Sequence, residues 1–419
     1  RLHFYCCFYF FFVNGRCSRS GMGGRHVVLG AAAVVAAVRW SPAVVSVACS
    51  VLRRVTGHGR HAPSGCWSSP VTSALIVKKA VQLGSPSFGP DGLLYWVEGR
   101  AEEAGRRVLV RRRENGKVED VTPPRESGLS VCSRVHEYGG GAYVLTQRAV
   151  YFVNAKDQQV YVQQLADDEA PGAAVQLTSG DTTTRYADLQ PDPKRRRLLA
   201  VCEQHEAHGV KNCIVAIDTE GGRCSVLVEG ADFYHAPRIS ADGAHMCWIS
   251  WNHPNMPWDD THLWRGEFDS AGYMPVKARR RVAGGLNESV LQPEWREDGA
   301  LVFLSDRSGW WNLYVEKDEQ VLALCPKAAE FGGPSWIFGL RYYALLPRGH
   351  VLTAMTDPAA MGERLLLLNT ANGAVAVPST PRSRALPSAS PLTTAHNVAT
   401  PYNCFRGTLV AGRQQVRTP

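Results

Sequence analysis

The sequence has 419 residues, of which 45% are hydrophobic and 9% aromatic, and its formal net charge is +8. This composition is typical of a folded protein with a packed core and excludes wholesale disorder. Ten of the 46 basic residues and none of the 38 acidic residues lie in the first 90 positions, so the rest of the chain is close to neutral. A charge confined to one end argues against a nucleic-acid-binding protein.

The chain begins with a basic leader, which we place at residues 1–65. Met22 is the first methionine, so residues 1–21 are either natural or a non-native start. The apolar stretch at 27–38 is shorter than the roughly 20 residues that cross a bilayer, and we predict no membrane span. The Arg-rich, acid-free composition resembles an organelle transit peptide, with a signal peptide as the alternative.

Cysteine usage bears on the compartment. The twelve cysteines are scattered and include no CxxC pair, so the sequence indicates neither a zinc site nor a disulfide framework. Most of those beyond the leader lie in apolar runs, where free cysteine packs as a small core residue. We therefore predict a reducing compartment, either cytoplasmic or organellar (plastid or mitochondrion).

A repeated unit of two apolar strands around a Pro-Asp-Gly type of turn follows the leader. The turn aspartates of the four clear copies are Asp91, Asp192, Asp242 and Asp298. They are separated by 101, 50 and 56 residues, so one unit has about 50 residues, and two worn copies lie at 140–154 and 342–357. Asp can accept hydrogen bonds from the turn backbone, and Gly supplies the positive φ, so these turns are explained structurally.

Each unit continues into a third apolar strand with its own polar turn, as in VLVRRRENG at 108–116 and WNLYVEKDE at 311–319. Several units add one more short apolar stretch, which brings the count close to four strands per unit. Four short strands that recur every 50 residues are typical of propeller blades. We predict an all-β fold, a β-propeller with six readable blades, at residues 66–380.

Other fold classes are disfavoured. Helical periodicity is nearly absent from residue 85 to 373, and no GxGxxG or GxxxxGK[ST] string occurs. These observations exclude nucleotide-binding α/β folds, and we predict no cofactor.

Several strings resemble the N-terminal β-propeller of the prolyl oligopeptidase family of serine peptidases. They are WSSPVTSALI (67–76), RVHEYGGGAYV (134–144), SWNHPNMPWDDTHLW (250–264), FLSDRSGWWNLY (303–314) and EFGGPSWIFG (330–339). The resemblance points to the acylaminoacyl-peptidase and dipeptidyl-aminopeptidase-like members. It implies seven blades in the intact fold, with the last blade incomplete in this chain. It also implies an α/β-hydrolase catalytic domain as partner, with a Ser-Asp-His triad, acting on short or N-acylated peptides that the propeller admits.

The catalytic elbow of that family has no match in this sequence. No serine has glycine at both −2 and +2, so we name no catalytic residue and predict that this chain is catalytically inactive. Residues 381–419 are rich in Ser, Pro and Thr and depart from the family, and we interpret them as a disordered tail from a splice, intron or gene-model artefact. The alternative is an interaction scaffold similar to WD-repeat propellers, although their Gly-His and Trp-Asp signature is missing.

Two loops hold candidate residues for substrate binding or a domain interface, which are His136, Glu137, Tyr138, Asn252, His253, Trp258 and Asp259. A histidine beside a carboxylate can bind a peptide amino terminus, or it can order a blade loop by hydrogen bonding. Trp258 can anchor a docked domain or fill space between blades. His205, Glu206 and His208 have a metal-like pattern but no further partner in sequence reach, and we predict no metal site.

Overall fold

The computed structural model describes residues 71–72, 75–76, 78, 80–165, 172–180, 182–357, 362–371 and 373–377. The chain divides into two units, Arg1–Thr72 and Ser73–Pro419, and every described strand lies in the second. The leader predicted at 1–65, the tail predicted at 381–419 and the place of a seventh blade lie outside the described residues.

Within the described residues, 24 strands form six four-stranded antiparallel sheets arranged in a ring, which confirms the predicted β-propeller. Each sheet is one blade, and its strands follow chain order from the inner strand outward. Blade 1 has β1 (Val81–Phe88), β2 (Leu94–Arg100), β3 (Arg106–Arg112) and β4 (Val118–Asp120). Blade 2 has β5 (Tyr143–Leu145), β6 (Ala149–Val153), β7 (Val160–Gln164) and β8 (Ala174–Gln176). Blade 3 has β9 (Thr184–Pro191), β10 (Arg197–Glu206), β11 (Gly209–Asp218) and β12 (Cys224–Val228).

The other three blades have the same plan. Blade 4 has β13 (Phe233–Ile239), β14 (His245–Trp251), β15 (His262–Glu267) and β16 (Arg279–Gly284). Blade 5 has β17 (Val290–Trp295), β18 (Leu301–Ser305), β19 (Asn312–Lys317) and β20 (Gln320–Ala323). Blade 6 has β21 (Tyr343–Leu346), β22 (His350–Asp357), β23 (Gly362–Asn369) and β24 (Val375–Ala376). Single turns of 3-10 helix lie at Ala101–Glu103, Arg125–Ser127, Val276–Ala278 and Pro347–Gly349. No helix among the described residues has the length and apolar character needed to cross a membrane.

The predicted turns join the first and second strands of their blades. In each clear copy the Asp Oδ1 accepts a hydrogen bond from the backbone N–H two residues later. The four distances are 3.0 Å at Asp91, 3.0 Å at Asp192, 3.0 Å at Asp242 and 3.3 Å at Asp298. The side chain thus closes the reversal locally, as the turn chemistry predicts.

The inner strands of four blades share a bulge that the sequence analysis did not predict. In each of them a residue with positive φ lies where two residues face one on the next strand, at Ser85 (φ 49°), Asp188 (φ 53°), Ala236 (φ 52°) and Gln292 (φ 44°). Proline follows three of these residues, as Pro86, Pro237 and Pro293. A bulge tolerates proline because the ladder hydrogen bond is already interrupted there.

The hydrophobic core lies between the blades. Within the described residues, five buried clusters fill the successive junctions from blades 1 and 2 to blades 5 and 6, with Leu109 and Phe152, Val153 and Ile217, Leu199 and Trp248, Ile249 and Phe303, and Leu313 and Val351 as examples. Blades 2 to 5 therefore bury both faces against their neighbours, which is how short strands become stable in a radial repeat.

Candidate functional site

All seven candidate residues lie on one face of the ring. The inner strands begin at this face, and the connections between blades and between the second and third strands lie there. The Pro-Asp-Gly turns lie on the opposite face. We call the face that carries the candidate residues the loop face.

The turn at residues 133–141 brings His136 to the inner part of the loop face. His136 and Glu137 both have positive φ, 55° and 61°. The imidazole lies 5.1 Å from the Phe233 ring, 5.6 Å from Trp251 and 4.9 Å from Phe338. Burial, together with neighbouring His235, lowers the pKa of His136 to about 3 from its usual 6.5. The side chain is therefore a neutral packing group at physiological pH.

Glu137 points away from this aromatic enclosure and is 72% exposed. Its Oε1 lies 2.6 Å from Arg185 Nη1, which also lies 3.1 Å from Oε1 of buried Glu203. The hydrogen bond from Arg185 lowers the pKa of Glu137. Glu203 Oε2 accepts a hydrogen bond of 2.7 Å from the backbone N–H of His136, and so connects blade 3 to the turn.

Glu137, Glu203 and His205 bring three ligand-type atoms within 4.8 Å of one another, close enough to hold a metal ion. However, Arg185 is already paired with both carboxylates, and His205 Nε2 lies 2.7 Å from Glu203 Oε1. A cation would have to compete with the guanidinium for both acids. The donor set therefore fits an ion-pair network better than a metal site.

An exposed aromatic patch connects three separate loops. We define it as Tyr138, Trp258 and Trp336. The Trp336 ring lies 5.6 Å from Tyr138 and 4.3 Å from Trp258. Tyr138 is 59% exposed and Trp336 is 48% exposed. The structure thus brings Tyr138 and Trp258 together, from positions 120 residues apart, through a residue that the sequence analysis did not select.

The other candidates in the 252–259 loop shape that loop. Asn252 Oδ1 accepts a hydrogen bond of 2.8 Å from the backbone N–H of Asp232, and the His253 N–H donates to Asp232 Oδ2 at 2.9 Å. Asp259 Oδ2 accepts from the Met256 N–H at 2.9 Å. These contacts hold the loop that presents Trp258.

Residues 336–339, which we call the central strap, lie next to the triple glycine at 139–141. The Phe338 N–H donates to Gly139 O at 2.9 Å, and Gly140 and Phe338 form a parallel β-bridge. The Phe338 ring stacks on His235 at 4.8 Å. The strings HEYGGG and EFGGPSWIFG therefore meet at the ring centre, where residues of blades 2, 4 and 6 converge.

Below the strap, four charged residues of successive blades form an ion-pair chain, in the order Asp188, Arg238, Glu294 and Arg341. Arg238 Nη1 lies 3.0 Å from Asp188 Oδ1, Arg238 Nε lies 3.8 Å from Glu294 Oε1, and Arg341 pairs with the same Glu294 oxygen. Burial by itself would raise the pKa of Asp188, but Arg238, His235 and Arg341 outweigh it and hold that pKa below its usual value. The ion-pair chain is thus charged, and its two acidic side chains balance its two arginines.

The structure is similar to solved peptidases over most of the chain. A Mycobacterium tuberculosis puromycin-hydrolyzing peptidase is 32% identical with a TM-score of 0.66, over 76% of this chain and 50% of its own. A puromycin hydrolase is 28% identical with a TM-score of 0.67, over the same shares. The matched part of this chain is thus similar to the propeller portion of these peptidases, as the resemblance to the prolyl oligopeptidase family implied. The chain spans about half the length of those two structures.

More distant similarity concerns the fold alone. Prolyl oligopeptidase B from Galerina marginata is 12% identical with a TM-score of 0.50, over 72% of this chain and 44% of its own. Neither a protein-family model nor a curated protein matches the chain.

Sequence reasoning missed several residues on the loop face and near the ring centre, namely Asp188, Arg238, Arg341, Trp336 and Phe338. The recurring bulge was the available signal. Asp188 and Gln292 stand at the same point of their units, and each reaches the next blade, where its side chain accepts a hydrogen bond from the Ala236 or Tyr342 N–H at 2.8 and 2.6 Å.

Proposed function

We propose that this chain is the propeller portion of a serine peptidase acting on short or N-acylated peptides. In this proposal the loop face docks the α/β-hydrolase catalytic domain and limits which peptides reach it. The observation that carries the proposal is the aromatic patch, because it joins the 133–141, 252–259 and 336–339 segments on one exposed surface.

The patch has the composition of an interface centre. Tyrosine and tryptophan are enriched at the centres of protein interfaces, and polar residues surround them. In this propeller, exposed Glu137, Arg134 and Asn252 lie in two of the three segments that form the patch. The occupant is the hydrolase domain, since the two puromycin-hydrolysing structures are about twice the length of the matched part.

Catalysis in this proposal comes from the hydrolase domain, because no serine of the 419-residue sequence stands in a GxSxG elbow. We expect the purified chain to release no chromophore from aminoacyl or acyl-peptide substrates. Serine-dependent turnover by this chain would contradict the proposal.

A chimera tests the docking role. Residues 66–380 would replace the propeller half of the Mycobacterium tuberculosis puromycin-hydrolyzing peptidase, and hydrolysis of puromycin and of peptides of increasing length would be measured. We expect activity on small substrates and strong discrimination against long peptides.

The matched variants of that chimera locate the docking surface. Replacing both Trp258 and Trp336 by Ala should weaken the discrimination and expose the hydrolase half to limited proteolysis. Tyr273→Ala removes a similarly exposed aromatic side chain, 56% exposed, from the opposite face and should have no effect. Equal behaviour of the double variant and the control would rule out docking through the aromatic patch.

A further inference from the structure

A cleft of about 290 Å³ lies between the inner strand of blade 1 and the segment that enters blade 6. Gln82–Pro86 form one wall and Ile337–Arg341 form the other, while Tyr138 of the aromatic patch lies at its edge. Its volume is close to the lower end of the range for small-ligand sites, about 300 Å³. The cleft therefore has room for a ligand of a few residues at most.

The wall of blade 1 leaves this space open at a glycine. A Cβ placed on Gly84 would meet no atom of the described residues within 4 Å, so the side-chain position of this residue is empty. At Gly99 on the next strand, by contrast, a Cβ would lie 3.3 Å from Gln82 Cβ. Val97, Leu340 and Ile337 supply apolar surface beside this opening.

The charge of the cleft has one sign. Among the described residues, its lining includes two arginines, Arg107 and Arg341, and no aspartate or glutamate. Arg341 is the cationic end of the ion-pair chain, where it pairs with Glu294. Arg107 is exposed and takes part in none of the ion pairs found in the described part of the chain. The cleft therefore offers an uncompensated positive charge next to apolar surface.

We propose that this cleft binds the carboxylate of a short peptide, with Arg107 as the principal partner. A guanidinium can donate two parallel hydrogen bonds to a carboxylate, and such charge-assisted bonds are about twice as strong as neutral ones. The apolar wall accommodates the adjoining side chain. The positive charge and small volume of the cleft fit a small carboxylate ligand. The assignment of that carboxylate to a peptide C-terminus rests on the proposed function.

Isothermal titration calorimetry of the 419-residue chain tests this assignment. The probes are alanylalanine, its C-terminal amide, acetate and inorganic phosphate. We expect alanylalanine to bind at least about tenfold more tightly than the amide, because the amide removes the charge. Acetate and phosphate should bind more weakly than the dipeptide, since neither reaches the apolar wall.

Three variants assign the binding to the cleft. Arg107→Gln removes the charge, and Gly84→Val fills the open space without changing the charge. Each should weaken alanylalanine binding at least about tenfold. Arg196→Gln removes a guanidinium that is 83% exposed in the β9–β10 turn of the opposite face, and it should bind like the wild type. Thermal unfolding midpoints would confirm that all three variants are folded.

Several outcomes would overturn the assignment. These are no binding of alanylalanine, equal binding of the amide, tighter binding of phosphate, and binding that is unchanged in both Arg107→Gln and Gly84→Val. The titration contains no hydrolase domain, so its failure would leave the chimera result intact. Conversely, a chimera without discrimination would contradict docking while leaving a positive titration as evidence for carboxylate binding alone.

Discussion

His136 illustrates how the environment of one residue decides its role. Three aromatic rings enclose the imidazole, and burial beside His235 lowers its pKa to about 3. The unfolded chain has the usual value of 6.5. Between these two values the unfolded chain binds a proton that the folded protein does not. The contribution of neutral His136 to the free energy of unfolding is therefore fully present above pH 6.5 and is lost as the pH falls toward 3.

We accordingly expect the stability of the wild type to depend more steeply on acid than that of His136→Gln. Between pH 6.5 and 4.5 the wild type should lose about 2–3 kcal/mol more unfolding free energy than the variant, at about 1.4 kcal/mol for each pH unit. Urea unfolding at both pH values measures the difference. Identical losses would show that His136 is protonated in the folded protein within this range.

Gly140 shows a second effect at the residue scale, a requirement for close backbone approach. Its φ is +93°, and a Cβ there would lie 2.3 Å from Phe338 O and 2.8 Å from Phe338 N. These are backbone atoms of the central strap, so they cannot rotate away as a flexible side chain can. The glycine is needed for contact between the strap and the 133–141 turn.

Gly140→Ala should therefore lower the unfolding free energy by about 3 kcal/mol or more. Gly299→Ala is the matched control, because its φ is +80° and its Cβ would meet no atom of the described residues within 4 Å. The control should lose only about 1–2 kcal/mol, the cost of the left-handed backbone. Urea unfolding of both variants measures this, and equal losses would show that the strap yields to the added methyl group.

At the scale of the element, the inner-strand bulge allows its residues to contact the next blade. The positive φ at Asp188 turns its carboxylate toward blade 4, where it accepts from the Ala236 N–H at 2.8 Å and pairs with Arg238 at 3.0 Å. Gln292 makes the equivalent backbone contact to blade 6 at Tyr342. The bulge therefore sets both the direction of the inner strand and the distance between its blade and the next one.

Asp188→Ala should cost about 3–5 kcal/mol of unfolding free energy, because it leaves the buried Arg238 guanidinium without its nearest acid. Asp188→Asn should cost less, since the amide oxygen still accepts from Ala236. Glu220→Ala breaks a pair whose side chains are 68% and 83% exposed and should cost less than about 1 kcal/mol. Chemical unfolding of the three variants would contradict the argument if Asp188→Ala and Glu220→Ala were equally stable.

At the scale of the whole propeller, five core clusters join the six blades in sequence, and the central strap adds contacts across the ring. Phe338 is 3% exposed and packs against groups from blades 3 and 4 in the same cluster. Trp336, two residues earlier, is 48% exposed and belongs to the aromatic patch. One short segment thus contributes both to stability and to the surface proposed for docking.

These two contributions should separate by mutation. Phe338→Ala should cost about 3–5 kcal/mol, because it leaves a cavity at the ring centre. Trp336→Ala should cost roughly 1 kcal/mol or less, because the ring is half exposed, while it reduces docking in the chimera. Thermal and urea unfolding would contradict this division if Trp336→Ala were the less stable variant.

The repeat could be predicted from sequence because its signals are local. The Asp91, Asp242 and Asp298 turns depend on a side chain and a backbone N–H two residues apart, and the strands beside them alternate over a few residues. The candidate site was predicted only in part. Tyr138 and Trp258 were selected as loop residues, but nothing near them in sequence indicates that Trp336 lies between them.

The sequence by itself therefore determined the strands, their turns and a radial all-β fold, together with the resemblance to a peptidase propeller. Only the tertiary structure decided that two glycine-rich strings almost 200 residues apart meet at the ring centre, that His136 is enclosed, and that Asp188, Arg238, Glu294 and Arg341 form one ion-pair chain. The physical reason is that these contacts join residues of different blades. Their distances depend on how the sheets pack around the ring, and no local pattern specifies that packing.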